Sequence, residues 1–412
     1  MSSASGMRVL IDGTMARGGG GHTYLVNILP RLAALAADHQ LRVLVRSERL
    51  AAAIQPARNL EVDLLPEVGL AGRLRFTFRE SARVARAWGA DLYFSAGETV
   101  PFGSPCPTIA SFRNPIVFTS LDVAHSQRDR LRLRVLRGLA RFSASVSDRI
   151  LFVSKDSADW IGDTIGLAPE KRTVVHHGID PARWSAAPKH PVHPWPYILS
   201  VSSIYRHKNF VKLIEAYALL AGRRRDVPDL VIVGDVQDPE YARKMEAARA
   251  ATRSLAENIH ILGEVPYSDV PAWYASAELF VFPSYLETFG HPLLEAMASD
   301  VPVVAADIPA FREIGADAAF YADPHSAQAL SGAMEDALFV AAAREMLIKR
   351  GRERVLEFSW ERSAERLVTL FSEVHTTNQA AKRRSREARA RRGVGLYTAP
   401  TSANASARAM LG

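Results

Sequence analysis

Cysteine is almost absent from this chain: Cys106 is the only one, which excludes an internal disulfide and any cysteine-rich metal site. No uninterrupted apolar stretch is long enough to span a bilayer, and the opening MSSASGMRVLIDG lacks the charged-then-apolar pattern of a secretory leader. The expectation is a soluble cytoplasmic protein, or one held only at a membrane surface. Spread-out positive charge is also scarce. The formal net charge is +7, but Lys382, Arg383, Arg384, Arg386, Arg389, Arg391 and Arg392 against the single Glu387 supply six of those charges. The remaining body is nearly neutral, so nucleic-acid binding by a basic fold finds little support. What is present is core material: 412 residues, 48% hydrophobic and 23% charged, enough for two globular domains with extras.

Short β-branched runs alternate with helical patterns. Residues 7–11 (MRVLI) and 41–45 (LRVLV) flank a helical pattern from Thr23 to Ala37, and the alternation continues through 92–94, 108–110 and 149–153. Strand then helix, repeated, predicts a parallel sheet covered on both faces. Pro181, Pro188, Pro191, Pro194 and Pro196 then crowd one segment, read here as an interdomain linker over 181–196. A second alternation follows, with strands near 197–201, 230–233, 259–262, 278–282 and 301–305. The fold class is α/β, with two doubly wound domains, 1–180 and 197–358, facing across a cleft where ligands favour binding. The pattern SWERSAERLVTLFSEV predicts an amphipathic helix over 359–375 that packs back across the domains, with Trp360, Ala364, Leu367, Leu370, Phe371 and Val374 near one face. From 376 to 412 the composition is basic and poor in large apolar residues, and disorder is expected.

The run PSYLETFGHPLLEAMA (283–298) is the most informative. It reads strand, turn, helix, with Pro292 at a favoured first-turn position. Backbone N–H groups of Phe289, Gly290 and His291 would lie unpaired at the positive end of the helix, where an anion such as a diphosphate can satisfy them. Glu295, about one turn in, can accept from sugar hydroxyls, and Glu287 precedes it in the loop. Opposite, SSIYRHKN (202–209) follows a strand and places the Lys208 ammonium where charge on a departing diphosphate could be neutralised. There is no Asp-x-Asp pair to hold a metal-bridged diphosphate, so neither metal nor cofactor is expected. This reading requires an opening beside the amides that follow Thr288 and an ammonium within reach of them.

Two further features stand out. Arg17 and Gly18 to Gly21 with His22 form a glycine run between the first strand and first helix. It departs from the nicotinamide fingerprint, since Thr23 occupies the third glycine position, and it suits a loop closing over a sugar phosphate or acceptor. Arginines at 75, 79, 83 and 86, and at 128, 130, 132, 134, 137 and 141 among leucines, make basic helical faces; these read first as solvated surfaces and second as faces of a kind that lie on anionic lipid headgroups.

With these residues in view, the chain resembles the family-four retaining glycosyltransferases of GT-B fold over about residues 7 to 375. Glu287 and Glu295 stand at the family's Glu-x7-Glu spacing. VSKDSADWI, HHGID, SSIYRHKN, VIVGD and ILGEVP support the match. The resemblance implies a hexose moved from a nucleoside-diphosphate sugar to a glycan or lipid-linked acceptor in polysaccharide assembly. It implies that Lys208 holds the donor diphosphate, that Val265 lies beside the base, that Glu295 binds the ribose and that Glu287 and the 289–291 backbone bind sugar and phosphates. Gly19, Gly20 and Gly21 would close over donor or acceptor. Where many members carry Gly-Arg, this chain has Ser202-Ser203, leaving Arg206 as the second cation. Where many carry His-Asp, it reads Ser111-Phe112-Arg113-Asn114, so Arg113 and Asn114 stand as acceptor-side candidates with His22 and His125 nearby. The rival readings are a nucleotide-sugar epimerase on the same scaffold and a catalytically silent nucleotide-sugar binder.

Overall fold

The computed structural model describes residues 6–16, 19–119, 127–187 and 192–394. Arg17, Gly18, His125, Pro188, Pro191 and residues 395–412, which figured in the sequence reading, lie outside them. Two parallel sheets organise the chain. The first contains β1 (Arg8–Asp12), β2 (Gln40–Val45), β3 (Leu60–Leu64), β4 (Leu92–Ser95), β5 (Thr108–Phe112), β6 (Arg149–Phe152) and β7 (Arg172–Val174), in the order β3-β2-β1-β4-β5-β6-β7. The second contains β8 (Tyr197–Val201), β9 (Asp229–Val233), β10 (Ile259–Gly263), β11 (Leu279–Phe282), β12 (Val303–Ala306) and β13 (Phe320–Ala322), in the order β10-β9-β8-β11-β12-β13. Helices cover both, which is why central strands such as β4, β5, β9, β11 and β12 are buried at every position. Strand order reverses between β1 and β4 in one sheet and between β8 and β11 in the other. At such reversals the loops diverge and leave a crevice at the carboxyl ends.

The domains are tied by the C-terminal helix Trp360–Val394, whose Trp360, Ala364, Leu367, Leu370, Phe371 and Val374 join the core formed by β1, β2 and the helix Gly19–Leu35. This helix corrects the expectation of disorder beyond 375, since it runs on through residue 394. Its last turns consist mainly of Ala, Arg, Lys and Glu, which lose little rotamer freedom in a helix. Propagation from a docked segment also adds one hydrogen bond per residue fixed.

The linker reading needs a second correction. Pro181–Ser185 is a helical turn opened by Pro181 at its first position, where the missing N–H costs nothing, and its Trp184 packs edge-on against Tyr274, ring centroids 5.4 Å apart. The glycine run is likewise not a loop over its described part: Gly19 to Gly21 form the first turn of the helix Gly19–Leu35. Between 70 and 88 the chain stays helical but passes through a π segment at Phe76–Glu80, which turns Phe76 and Phe78 inward and leaves Arg75, Arg79, Arg83 and Arg86 exposed. No helix among the described residues is long and apolar enough to cross a membrane.

Candidate active site

Two loops at the β8/β11 reversal build the site. After β8 the chain makes a tight turn, Arg206–Lys208, and Asn209 adopts a left-handed conformation (φ 63°) that Asn tolerates better than most residues. The Asn209 amide donates to the carbonyls of Pro283 (3.1 Å) and Pro324 (2.7 Å). The His207 carbonyl accepts from Ser284 Oγ and from the Tyr285 N–H, both at 3.0 Å. The lysine turn is thus sewn to the loop after β11, and Lys208 Nζ pairs with the Glu287 carboxylate. Both side chains are largely buried, 14% and 13% exposed. The Lys208 ammonium also lies 5.5 Å from the Phe282 ring centre.

The helix His291–Ala298 follows, with Gly290 as its N-cap at φ 95°. A Cβ on Gly290 would lie 2.7 Å from the Phe311 ring, so only glycine fits. Among the described residues no protein group accepts from the N–H of Phe289, Gly290 or His291. The ammonium pairs with a carboxylate two residues before the first of these amides, but the amides themselves are enclosed. Thr288, Phe289 and Gly290 are buried at the seam between the domains. There Thr288 Oγ1 donates to the Arg113 carbonyl (2.8 Å) and Ser154 Oγ donates to the Thr288 carbonyl (2.6 Å). Glu313 closes the seam further along: its carboxylate accepts from the N–H groups of Lys155 (2.7 Å) and Asp156 (2.8 Å), at the start of the helix Lys155–Ile165, and contacts His176 (2.8 Å). Thr288 to Gly290 are thus enclosed by protein, which departs from the opening that the sequence reading requires beside these amides.

Glu295 lies deeper, beside a cavity of about 20 Å³ lined by Thr23, Asn27, Asp180, Arg183, Tyr267 and Glu295 itself. That is room for a water, not a nucleoside. Burial pushes its carboxyl up to about 7, partly countered by the Tyr274 hydroxyl, which donates at 3.1 Å, and by the Arg183 charge. Val265 packs half-buried nearby on the core of the second domain. Arg206 faces Glu240 at 3.6 Å rather than the Lys208–Glu287 pair.

The first domain contributes Arg113 and Asn114 from the end of β5. Their N–H groups both donate to Glu98 Oε1, at 3.2 and 3.0 Å, and the Asn114 side chain caps the short turn Pro115–Val117. The Arg113 guanidinium stacks over Tyr24, 4.4 Å from the ring centre, and donates to the Ala96 carbonyl, while burial depresses its proton affinity. Tyr24 in turn stacks on His177 (5.0 Å), and His177 Nδ1 meets His291 Nε2 at 2.9 Å. Burial, with the Arg113 charge contributing, lowers His291 to about 4 and His177 well below its usual range, so both imidazoles are neutral near pH 7. Gly19 and Gly20 are exposed with open space beside them, and Gly21 backs onto Ala16. His22 turns toward Arg49, and burial lowers its proton affinity.

Sequence reasoning did not single out Tyr24, Glu98 or Glu313, and it met Ser154 only within the quoted VSKDSADWI and Thr288 only as the residue before the amides. His177 stood within the quoted HHGID, where adjacent histidines before a glycine were the available signal. Gly178 lies against the start of the C-terminal helix, so that a Cβ there would reach the Trp360 N–H at 2.1 Å.

Comparison with known families now bears on this geometry. Residues 18–183 match the model described as Glycosyltransferase Family 4, and residues 184–354 match Glycosyl transferases group 1. The chain belongs to the family-four glycosyltransferases, with GT-B fold. Among curated relatives, O-antigen chain mannosyltransferase B of Escherichia coli is 33% identical over 178 residues, 42% of this chain and 45% of that protein. O-antigen chain mannosyltransferase RfbU of Salmonella typhimurium is 28% identical over 200 residues, 48% and 54% respectively. The chain thus spans about half the length of these relatives. Among solved structures, Anabaena HepE in complex with UDP-glucose superposes with a TM-score of 0.70 at 18% identity, covering 89% of this chain and all of that one. At that identity the likeness concerns the fold.

Proposed function

We propose that this family member is a retaining hexosyltransferase. It moves a mannose- or glucose-type sugar from a nucleoside diphosphate to a glycan or lipid-linked acceptor in polysaccharide assembly, in the cytoplasm and without a metal ion. The observation that carries the reading is the Lys208–Glu287 pair at the β8/β11 reversal, followed along the same loop by three backbone N–H groups with no protein acceptor among the described residues. Mannosyltransferase relatives favour mannose.

In this reading the seam opens to admit the donor. Its diphosphate replaces Glu287 as the partner of Lys208 and accepts from the 289–291 amides, which frees Glu287 to accept from hydroxyls of the sugar. Glu295 would hold the ribose, Val265 the base, and Gly19 to Gly21 with Arg113 and Asn114 would face donor or acceptor. Arg206 would turn in from Glu240 as the second cation. The acceptor oxygen bonds to the anomeric carbon as the bond to the diphosphate oxygen breaks on the same face, and the acceptor proton passes to the departing diphosphate. Lys208 and the amides stabilise the charge left on it, so no side chain acts as nucleophile. Exposed Arg132, Arg134 and Arg141, interleaved with exposed Leu131 and Val135, fit transient contact with an anionic membrane surface.

The test begins with thermal shifts against UDP-, GDP-, ADP- and dTDP-sugars, since a bound donor raises the melting point. Donor turnover then follows for wild type, Lys208→Ala and Glu287→Gln, with and without a chelator. Turnover unchanged in either variant refutes the role of that residue, and loss of turnover on chelation, measured well below the melting point of the chelated protein, refutes metal independence of the reaction.

A further inference from the structure

The second sheet has an opposite edge, at the amino ends of its strands, far round the fold from the cleft. Three potential metal ligands converge there: His193 from the segment leading into β8, Asp229 at the first position of β9, and His260 at the second position of β10. Both imidazole Nε2 atoms face one carboxylate oxygen, Asp229 Oδ2, at 3.1 Å from His193 and 3.0 Å from His260. The three ligand atoms all lie within 4.8 Å of one another. The other carboxylate oxygen accepts from Asn258 Nδ2 at 2.8 Å, which fixes the plane of the carboxyl group. The His193 ring packs edge-on against Tyr197, centroids 5.6 Å apart. His193 and Asp229 are nearly enclosed, 9% and 8% exposed, whereas His260 is 30% exposed and leaves a way in from solvent.

We propose that His193, Asp229 and His260 form a site for a divalent transition metal of the zinc type, with three protein ligands and one position open to water. An ion with bonds of roughly 2.0–2.1 Å to nitrogen and oxygen separates tetrahedral ligand atoms by about 3.3 Å. The observed separations from Asp229 Oδ2 are a few tenths of an ångström shorter, within ordinary side-chain adjustment. Two imidazoles and one carboxylate are the donor set that zinc and its neighbours accept, and the open side at His260 can supply water as the fourth ligand. Asn258 occupies the outer position that typically orients a ligating carboxylate. An ion here would clamp the segment entering the second domain onto two strands of its sheet. It would lie at the edge away from the cleft, and so act on stability rather than on the reaction.

The probe is Zn²⁺ added to the full chain after exhaustive chelator dialysis, with bound metal counted by mass spectrometry and melting followed in parallel. The variants are His260→Gln, at the exposed ligand, and Asp229→Asn, isosteric and still able to hydrogen-bond. The wild type is expected to retain one more equivalent of Zn²⁺ than either variant and to melt several degrees higher with Zn²⁺, a rise the variants lack. Zinc uptake and melting shifts equal in wild type and variants overturn the proposal. The wild type is read alone if a variant does not fold: Co²⁺ then gives the intense visible absorption of a tetrahedral site, and a wild type that gives none also overturns it.

Discussion

The two halves of the cleft are finished to different degrees. On the side of the second domain, Asn209, His207 and Ser284 form a closed set of hydrogen bonds around the lysine turn, and Lys208 has its carboxylate partner. On the side of the first domain, several buried polar atoms have no hydrogen-bond partner among the described residues: Tyr24 Oη, Ser111 Oγ, Arg113 Nη1 and His177 Nε2. Each such atom costs about 1–3 kcal/mol when nothing satisfies it. A half whose side chains are paired before any ligand arrives, with only the 289–291 amides left open, suits a donor whose diphosphate and nucleoside are constant. A half with spare donors and acceptors suits a partner that completes them, and an acceptor sugar rich in hydroxyls has that chemistry.

The largest effect that would break this contrast is at Lys208. Lys208→Ala should lower donor turnover by roughly 10²–10³, the usual range when one preorganised charge stabiliser is removed. The same substitution strands the buried Glu287, so melting should also fall; Lys208→Ala combined with Glu287→Gln should recover melting but not turnover. Turnover within a few-fold of wild type would remove the second domain's claim to be the prepared half.

Glu295 comes next, and it makes the contrast depend on pH. Its carboxyl is raised from the ordinary 4.5 to about 7 by burial, so the folded state keeps a proton that the unfolded state has lost. The folded state then binds more protons across that interval, and stability must fall as pH rises from about 4.5 to about 7, then level off. The swing should be on the order of 3 kcal/mol. Glu295→Gln should remove this component of the slope, as read from melting points at pH 5 and pH 8 for both proteins. Parallel curves for the two proteins would mean that the carboxyl is not held protonated.

How much of this was legible follows from burial. The central strands announced themselves because both faces are covered, which forces unbroken apolar runs such as LFVF in β11 and LVIV in β9. The strands the sequence hid are β3, β7 and β13, all of them sheet edges. LEVDL alternates with acids, and RTV and FYA are three residues long, so neither period nor length marks them. Among the candidate site residues, Lys208, Glu287, Gly290 and Glu295 could be named because each sits at a fixed offset from a strand or helix start. Tyr24 and Glu313 could not. Tyr24 reads as one more apolar position on the helix Gly19–Leu35. Glu313 caps a helix that lies 157 residues away in the chain, and only the tertiary fold brings them together.

Arg113 probes the unfinished half with a smaller effect of mixed sign. Arg113→Met keeps the length of the side chain and removes a buried cation that has one nitrogen without a partner. Melting should hold or rise by a few degrees, because exchanging a poorly satisfied buried charge for an apolar group is often stabilising. Transfer to acceptor should fall by roughly 10-fold, with the donor KM unchanged, as one charge-assisted hydrogen bond of about 1.5–3 kcal/mol is lost. A fall in melting with transfer intact would make Arg113 a structural tie between β5 and the helix Gly19–Leu35.

The smallest effect belongs to Asn209, and it asks whether the finished half owes its order to the stitching between loops. Asn209→Ala removes two side-chain hydrogen bonds and places alanine at φ 63°, a conformation that disfavours any Cβ. Asn209→Gly removes the same bonds but tolerates the backbone. Alanine should therefore cost about 1–2 kcal/mol more than glycine in chemical denaturation. The two should share the same few-fold loss of turnover, since both free the lysine turn from Pro283 and Pro324. If glycine restores turnover as well as stability, the backbone angle alone places Lys208. The hydrogen bonds would then be incidental, and the order of that half would reside in the turn itself.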